Sequence, residues 1–223
     1  MKKVFITGGN GSIGSGIVKI FQDNGFKVIY PSSSELNLLN NDEIDKYLKS
    51  INNNFDVFIH CAGINNISNI ESITMENILN TMQINTFSFL KILKYFLPYQ
   101  KINGGSILAI SSLYSKISRS ERASYSMSKH ALDALIKTAA IELAPYNIKV
   151  NSLSPGFVDT PMTRKNNDEN KIKKIENSIP FGRMGSLEDI SKVAYFLCVN
   201  NSYITGQNIT VDGGFICGGF QNV

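Results

Sequence analysis

The sequence predicts a single α/β domain in which helices cover both faces of a doubly wound parallel sheet. Two observations predict it. Short apolar runs alternate with segments of helical periodicity, which is the pattern of successive βαβ units. A glycine-rich turn at 7–14 lies where the first predicted strand meets the first predicted helix. The length of 223 residues suits one domain, so we expect 1–223 to form a single unit.

The predicted elements follow in order along the chain. Strands are predicted at 4–7, 27–30, 57–60, 106–110, 148–153 and 208–211. Helices are predicted at 12–24, 42–51, 74–99, 124–143 and 187–198. Residues 35–39 suggest one more short strand, but too few residues precede it for a parallel crossover. We therefore expect the fold to be shortened between strands two and three, with the connecting helix missing and the third strand short or irregular.

The composition argues against several classes of function. The formal net charge of +4 is mild and the lysines are scattered, so nucleic acid is not an expected partner. Three cysteines without metal-binding spacing predict neither a disulfide framework nor a metal site. The apolar stretch 84–97 is interrupted by Lys91 and Lys94, which argues against a membrane span. The amino terminus does not fit a signal peptide, and we expect a cytoplasmic protein.

The turn at 7–14 reads TGGNGSIG, and its Gly9, Gly11 and Gly14 match the GxGxxG fingerprint of dinucleotide-binding Rossmann folds. Glycines allow a sharp turn and a close approach of the backbone to a pyrophosphate. The amide groups at the start of the following helix then face the anion. The fingerprint alone is weak evidence, and the alternative is a glycine-rich turn that binds nothing. Its place between a strand and a helix favours cofactor binding.

A tyrosine and a lysine stand one helical turn apart, at Tyr125 and Lys129. A phenol is a poor base because its ordinary pKa is about 10, and a neighbouring ammonium group lowers that pKa. Proton transfer to or from a substrate then becomes feasible near neutral pH. Ser111 and Ser112 end the preceding strand, where a hydroxyl can polarise a substrate carbonyl. An exposed helix pair and a solvated strand end are the alternatives.

Taken together, these motifs resemble the short-chain dehydrogenase/reductase family, and most closely its 3-oxoacyl-carrier-protein reductase branch. The resemblance covers nearly the whole chain. Further motifs fall in the family's order, and they are CAG at 61–63, QINTFSF around Asn85, YSMSK at 125–129, NSLSPGFVDTPM at 151–162, IPFGRMGSLEDIS at 179–191 and YITGQNITVDGG at 203–214.

The resemblance implies an oxidoreductase that moves a hydride between NAD(P) and a carbonyl or alcohol. It implies that Tyr125 is the catalytic acid/base and that Ser112 polarises the carbonyl. Lys129 would bind the nicotinamide ribose and lower the pKa of Tyr125, and Asn85 would hold a water that links Lys129 to solvent. A helix-interior asparagine facing water is the alternative for Asn85.

The same resemblance implies a set of cofactor-binding residues. Thr160 would anchor the nicotinamide carboxamide, although it is equally suited to cap the next helix. With Tyr125 and Lys129, the implied set is Gly8, Gly9, Asn10, Gly11, Ser12, Ile13, Gly14, Ser32, Ser33, Ala62, Gly63, Pro155, Gly156, Val158 and Thr160.

The chain departs from the family pattern at several positions. Ser12 stands where the family usually has glycine, and His60 and Cys61 replace two asparagines. A structural role is the favoured interpretation of His60, against a catalytic one. His130 is interpreted as a helix residue without a part in proton transfer.

The second predicted strand ends without the acidic residue that binds the ribose 2′-hydroxyl in NAD-dependent proteins. The hydroxyls of Ser32, Ser33 and Ser34 suit a 2′-phosphate better, so we expect NADP(H) to be favoured over NAD(H). Glu35 is near enough to turn toward the ribose, and a simple serine-rich turn is the alternative.

Residues 161–185 resemble a substrate lid by position. Arg164, Lys165 and the lysines at 171–174 are candidates to meet an anionic substrate, as are Arg119 and Arg122, although a solvated helix face is the commoner role for such lysines.

A small-molecule carbonyl or alcohol is the expected substrate, with a 3-oxoacyl thioester as one candidate. A sugar-nucleotide reductase or epimerase and a catalytically silent NAD(P)-binding sensor remain as alternative functions. The resemblance also implies a homodimer or homotetramer formed through the helices at 74–99 and 124–143.

Overall fold

The computed structural model describes residues 1–165 and 168–218, without the side chains of Met162 and Lys165. Elements are numbered here in chain order. The strands are β1 (Lys3–Thr7), β2 (Lys27–Ile29), β3 (Val57–His60), β4 (Gly105–Ile110), β5 (Ile148–Pro155) and β6 (Asn208–Val211). The helices are α1 (Ser12–Asp23), α2 (Asn41–Ser50), α3 (Met75–Met82), α4 (Ser88–Asn103), α5 (Ala123–Leu143), α6 (Pro161–Lys165), α7 (Glu169–Asn177) and α8 (Leu187–Tyr195).

The six described strands form one parallel sheet in the order β2-β1-β3-β4-β5-β6. The direction of winding reverses between β1 and β3, and ligands of doubly wound sheets bind beside this point, at the carboxyl ends of the strands. The register pairs Thr7 with His60, so β1 and β3 end together at this edge. The predicted doubly wound parallel sheet is therefore confirmed.

The sheet is shortened where the sequence indicated it, but without the extra strand. Residues 31–40 form turns and extended backbone, and α2 crosses directly from β2 to β3. The suggested strand at 35–39 is therefore wrong. Its apolar pattern has another cause, because Leu36 and Leu38 bury their side chains in the core from a turn conformation.

Two apolar layers lie on opposite faces of the sheet. Successive side chains of a strand point to opposite faces, and β1 divides its residues in this way. Phe5 packs with Phe58 and Phe96 on the face covered by α2, α4 and α5. Val4 and Ile6 pack on the other face, which α1 and α8 cover. Helices therefore cover both faces, as predicted.

Two helices predicted as continuous are interrupted by π-helical turns. The predicted helix at 74–99 consists of α3, a π-helical turn over Gln83–Phe87, and α4. The predicted helix at 187–198 is α8 followed by a π-helical turn over Phe196–Asn200. Apolar periodicity continues through a π turn, which explains why the sequence does not reveal it. Such turns are frequent at functional sites, and the first one contains Asn85.

In the described part of the chain, no helix has the length and apolar character needed to cross a membrane. Those same residues contain no group of three or more His, Cys, Asp or Glu side chains suited to hold a metal ion.

Candidate active site

The glycine turn after β1 is packed too tightly for side chains at three positions, and at Gly9 a Cβ would lie 2.6 Å from the Cβ of Tyr30. Gly8 has a φ of +69°, and a Cβ there would lie 2.5 Å from the backbone nitrogen of Ala62. A Cβ on Gly14 would lie 2.1 Å from the carbonyl oxygen of Gly8. Gly11 is less constrained, because its Cβ would meet that same oxygen at 3.3 Å. The turn therefore brings the start of α1 close against the ends of β1 and β3.

The amino terminus of α1 has none of the side-chain capping interactions that are found at several other helices of this protein. Gly11 occupies the cap position, no side chain caps the helix, and its first turn contains no acidic residue. Helix amide groups at such an end are left without intrahelical partners and carry partial positive charge. This end of α1 can accept the pyrophosphate of a dinucleotide, and residues 8–14 surround it as predicted.

Tyr125 lies in the first turn of α5, near enough to the hydroxyl of Ser112, which follows β4, for that hydroxyl to lower the pKa of Tyr125. The Ser112 oxygen accepts a hydrogen bond of 3.2 Å from the backbone nitrogen of Tyr114. Burial raises the pKa of Tyr125, and the Ser112 hydroxyl and the positive charge of Arg122 oppose that rise. The hydroxyl of Tyr125 is thus held beside a second hydroxyl at the carboxyl edge of the sheet.

Lys129 is buried beneath the site, 3% exposed, with Nζ 5.6 Å from the centroid of the Tyr125 ring. Its ammonium donates a 2.8 Å hydrogen bond to the carbonyl oxygen of Ile110, at the end of β4. Burial lowers the pKa of Lys129 to about 8, partly offset by Cys61 and Asp133. In this geometry the pKa of Tyr125 is raised by burial and not lowered by Lys129, which corrects the sequence-based expectation.

Asn85 is buried in the π-helical turn and uses its whole side-chain amide inside the protein. Its Oδ1 accepts from the backbone nitrogen of Ile64 at 2.9 Å, and its Nδ2 donates to the Ile64 oxygen and to Ser128 Oγ. A Cβ on Gly63 would lie 3.4 Å from Asn85 Oδ1 and 3.6 Å from Lys129 Nζ. The structure therefore places Asn85, Gly63 and Lys129 together and excludes the alternative of a solvent-facing asparagine.

His60, at the end of β3, is a buried structural residue, as interpreted from the sequence. Its Nδ1 lies 2.8 Å from the hydroxyl of Thr7, and its Nε2 lies 3.1 Å from the carbonyl oxygen of Ile84. Burial lowers the pKa of His60 to about 3, so the imidazole is neutral at physiological pH. It ties β1 to the π-helical turn. His130, in α5, contacts the backbone oxygen of Ser126 at 2.9 Å, as expected of a helix residue.

The segment after β2 is organised around a carboxylate. Glu35 accepts hydrogen bonds from the backbone nitrogen of Ser32 at 2.7 Å and from its hydroxyl at 2.8 Å. These bonds lower the pKa of Glu35. Ser32 also contacts Ser34 at 2.9 Å, while Ser33 is exposed. The serine-rich turn expected from the sequence is present, and Glu35 is folded back onto it.

The ends of β5 and β6 approach each other closely beside the site. Gly156 donates from its backbone nitrogen to the oxygen of Val211, and a Cβ on it would lie 2.7 Å from the Cα of Asp212. Val158 is buried, and its segment pairs with Gly185. Thr160 accepts a hydrogen bond from the Thr163 nitrogen at 3.1 Å, so it caps α6. The capping role proposed for Thr160 is confirmed, and a role toward a cofactor remains compatible with it.

A cavity of about 360 Å³ lies between Ser112 and the ends of β5 and β6. This is within the range of small-molecule sites. Six of its lining residues are Ser112, Tyr114, Arg119, Gly156, Phe157 and Phe215. Phe157 and Phe215 meet edge to face with ring centroids 5.1 Å apart. The sequence did not identify this aromatic wall, because its rings come from loops after different strands and no short motif links them.

Half of the described charged side chains in the segment predicted as a lid form ion pairs. Arg164 forms a two-pronged ion pair with Asp159, with distances of 2.7 and 2.6 Å. Lys171 pairs with Asp168, at the start of α7. Residues 166–167 of this segment and the side chain of Lys165 lie outside the described residues. Arg164 is therefore engaged within the protein and is not a ready partner for a substrate.

A buried polar cluster supports the site from below and was not found from the sequence. Asp133 accepts a hydrogen bond from Ser152 at 2.8 Å and a further one from the Asn208 amide. Asn208 also reaches Ser115, whose hydroxyl donates to the carbonyl oxygen of Ser112 at 2.8 Å. Asp133 stands four residues after Lys129 in α5, a spacing that predicts a shared helix face but not these partners on β5 and β6.

Known proteins resemble this chain over almost its whole length. Residues 34–216 match the family model described as enoyl-(acyl carrier protein) reductase. The 3-oxoacyl-[acyl-carrier-protein] reductase FabG of Chlamydia pneumoniae is 32% identical over 240 residues, covering 96% of each chain. The ligand-free structure of Thermoplasma acidophilum aldohexose dehydrogenase has a TM-score of 0.91 and 29% identity, covering 100% of this chain and 96% of its own. The structure of ElxO with NADP bound has a TM-score of 0.87 and 26% identity, with coverages of 97% and 99%.

The family model, the relatives and the solved structures agree with the fold described above. The chain belongs to the short-chain dehydrogenase/reductase family and is an NAD(P)-dependent oxidoreductase.

Proposed function

We propose that this protein is a carbonyl reductase in which Tyr125 donates the proton and Ser112 orients the substrate oxygen. The observation that carries the proposal is the proximity of the Tyr125 and Ser112 hydroxyls, with Ser112 lining a cavity of small-molecule size. The burial that raises the pKa of Tyr125 supports this direction of reaction, because a phenol that keeps its proton is suited to donate it.

The cofactor-binding residues implied by the family fit a dinucleotide in this structure. The uncapped start of α1, over 11–14, suits the pyrophosphate, with Gly8, Gly9 and Asn10 forming the turn before it. Ala62 and Gly63 would flank the bound nucleotide, and the loop from Pro155 to Thr160 would hold its nicotinamide end. Bound there, the reduced cofactor supplies the hydride.

The protein's own residues then perform three tasks. Ser112 donates a hydrogen bond to the carbonyl oxygen and stabilises its developing negative charge. Tyr125 transfers its proton to that oxygen. Lys129 binds the ribose hydroxyls of the cofactor. Asn85 fixes the 61–64 loop and α5 through its three bonds, and so keeps Lys129 in place.

We propose NADP(H) as the preferred cofactor, because Ser32 and Ser33 offer hydroxyls after β2 and the ElxO structure contains NADP. Glu35 opposes this preference, since its carboxylate would repel a 2′-phosphate. The test compares kcat/KM for NADPH and NADH in the wild type and in Glu35→Gln. We expect NADPH to be preferred and the variant to increase that preference. A wild-type protein that prefers NADH would overturn the proposed preference for NADP(H).

Three coarser proposals accompany this function. The substrate is a small carbonyl compound, and the likeness to FabG makes a 3-oxoacyl thioester one candidate. Residues 161–185 act as the lid of a single domain, residues 1–223. The protein is cytoplasmic and forms a homodimer or homotetramer through α4 and α5, which supplies a reason for exposed apolar side chains such as Leu90 and Met127.

The central test is Tyr125→Phe, which removes the hydroxyl and keeps the ring. We expect ketone reduction to fall by about 10²–10⁴-fold, with the dissociation constant for NADPH unchanged. Tyr203→Phe is the matched control, because the Tyr203 side chain is almost fully exposed and we expect full activity from it. Activity of Tyr125→Phe near the wild-type level would contradict the proposal.

The pH dependence gives a second test of the proton donor. The pKa of Tyr125 is raised, so the phenol stays protonated through neutral pH. We expect kcat for reduction to be level there and to fall only above the ordinary tyrosine pKa of about 10. A fall centred near pH 8 would instead report Lys129, whose pKa is lowered to about 8.

A further inference from the structure

The cavity beside Ser112 contains an unusual combination of surfaces. Most of its lining is apolar, with Phe157 and Phe215 forming an aromatic wall. Among the described residues that line it, Arg119 is the one charged side chain. No acidic side chain lines the cavity beside it in that part of the chain. A negatively charged ligand would therefore meet attraction from Arg119 and no repulsion from the cavity lining.

The other three arginines of the chain are already engaged. Arg164 is paired with Asp159, and Arg183 is paired with Asp189 at 2.7 Å. Arg122 donates to the backbone oxygen of Glu121 at 3.2 Å. Within residues 1–165 and 168–218, Arg119 alone among them forms neither a hydrogen bond nor an ion pair. A guanidinium has five donors in a planar fork that matches a carboxylate or a phosphate.

Arg119 lies on the loop between the two residues that are proposed to act on the substrate carbonyl. The loop that carries it leaves Ser112 at the end of β4 and returns to Tyr125 at the start of α5. Ser118, next to Arg119, contacts Ser126 in the first turn of α5 at 3.3 Å. Arg119 therefore lies on a short loop that begins at Ser112 and ends at Tyr125, the two residues whose hydroxyls are proposed to contact the substrate.

We propose that Arg119 binds an anionic group of the substrate, so that the preferred substrates are oxo compounds carrying a carboxylate or a phosphate. The proposal rests on the function proposed above and narrows its substrate class. The anionic group is either the carboxylate of an oxo acid or a phosphate carried by the thiol portion of a 3-oxoacyl thioester. The apolar wall formed by Phe157 and Phe215 receives the carbon chain between that group and the carbonyl, or beyond it.

The experiment uses matched substrates that differ in charge. One set consists of 2-, 3- and 4-oxohexanoate with their methyl esters, and varies the distance between carboxylate and carbonyl. The other pairs 3-oxobutyryl-coenzyme A, which carries phosphates, with the neutral 3-oxobutyryl-N-acetylcysteamine. We measure kcat/KM with NADPH for the wild type, Arg119→Gln, Arg119→Lys and the control Lys49→Gln, which removes one exposed positive charge from α2.

We expect the wild type to prefer the anionic member of at least one pair by tenfold or more. Arg119→Gln should lower kcat/KM for that anionic member to the level of its neutral partner and leave the neutral partner unchanged. Arg119→Lys should restore part of the preference, and Lys49→Gln should keep all of it. Raising the salt concentration should reduce the preference of the wild type, because the attraction is partly exposed to solvent.

Two results would overturn the proposal. The first is a wild type that reduces neutral and anionic partners equally well. The second is an Arg119→Gln variant that loses the same factor on both partners, which would indicate a structural role for the loop. Preference for the oxo acids identifies the carboxylate as the source of the charge, and preference for the coenzyme A thioester identifies the phosphate.

A binding measurement separates failure of this proposal from failure of the proposed function. If none of the carbonyl compounds is reduced, hexanoate and methyl hexanoate are titrated calorimetrically into the wild type and Arg119→Gln in the presence of NADP. Hexanoate binding that Arg119→Gln abolishes would support the anion site although the reductase activity is absent. The absence of hexanoate binding to the wild type would overturn the site itself.

Discussion

The amino termini of α1 and α8 pack on the same face of the sheet but are built in opposite ways. At α8, Ser186 and Asp189 form a reciprocal capping box, and Arg183 pairs with Asp189. At α1, Gly11 holds the cap position and no side chain closes the helix. The helix amides of α8 are thus satisfied within the protein, whereas those of α1 face the crevice at the sheet edge.

This difference separates a structural helix end from a binding one. A polar side-chain cap stabilises a helix by about 1 kcal/mol, and α2, α3 and α7 all have one, from Asn40, Thr74 and Asp168. Neither α1 nor α5 has one, and of these two only α1 begins at the glycine turn. A capping side chain or an acidic first turn would occupy or repel the place where a pyrophosphate binds. The open end of α1 lacks that local stabilisation, as the proposed cofactor site requires.

The largest effect should come from breaking the turn that presents α1. In Gly14→Ala the new Cβ would lie 2.1 Å from the oxygen of Gly8, so the backbone of the turn has to move. We expect the dissociation constant for NADPH, measured by fluorescence titration, to rise more than about 100-fold, which corresponds to roughly 2.8 kcal/mol.

Gly16→Ala is the matched control for that variant. It changes the same helix two residues later, and its Cβ would meet the Cβ of Leu187 at 3.3 Å, a far milder contact than the one at Gly14. We expect its dissociation constant for NADPH to stay within about twofold of the wild type. Equal losses in both variants would show that packing of α1, and not the turn, controls binding.

A comparison of the predicted glycine turn with its structure shows how much of this site the sequence predicted. The fingerprint located the turn and the start of α1, because glycine spacing between a strand and a helix is a local signal. It did not show that Gly8, Gly9 and Gly14 are the tightly packed positions while Gly11 is not. At Gly8 the close neighbour is Ala62, which follows β3, and at Gly9 it is Tyr30, which follows β2, so neither belongs to the local motif.

The residues proposed as catalytic show the same limit of prediction from sequence. Tyr125, Lys129 and Ser112 were predicted from local spacing and from the family resemblance, and the structure brings them together. The direction of the pKa of Tyr125 was not predicted, because burial at this position depends on the whole fold. The Asp133 cluster and the aromatic wall were missed for the same reason, since their members come from separate strands and loops.

A moderate effect on NADPH affinity should come from giving α1 an acidic first turn like that of α8. Ser12→Asp places a carboxylate in the first turn of α1, where it interacts favourably with the helix dipole by about 0.3–1 kcal/mol. The same charge lies where the pyrophosphate would bind. We expect the melting temperature without cofactor to stay level or rise, and the dissociation constant for NADPH to rise about tenfold.

Ser12→Asn is the control for charge, since it has a similar shape and no net charge. We expect it to bind NADPH several-fold more tightly than Ser12→Asp does. If both variants bind NADPH like the wild type, the cofactor does not use this end of α1.

The smallest effect, on the stability of the protein alone, should come from removing the side-chain cap of α8 so that its start resembles that of α1. Ser186→Ala removes the hydroxyl that accepts from the Asp189 nitrogen at 3.1 Å and donates to its carboxylate at 2.9 Å. We expect the free energy of unfolding to fall by about 1 kcal/mol, measured by chemical denaturation at pH 7, with the dissociation constant for NADPH unchanged.

The pH dependence of that loss follows from Asp189. Its pKa is held below the usual range by the bonds from Arg183 and Ser186. A lowered carboxyl pKa stabilises the folded state above the unfolded pKa of about 3.9, and this stabilisation is lost as the pH falls below that value. Ser186→Ala weakens the bonds that lower the pKa, so we expect its difference from the wild type to shrink in acid. Because the unfolded pKa is the same in both proteins, the difference shrinks only as the pH falls through the lowered pKa of folded Asp189, and a difference that stays constant through that range would show that the cap acts through the backbone hydrogen bond alone.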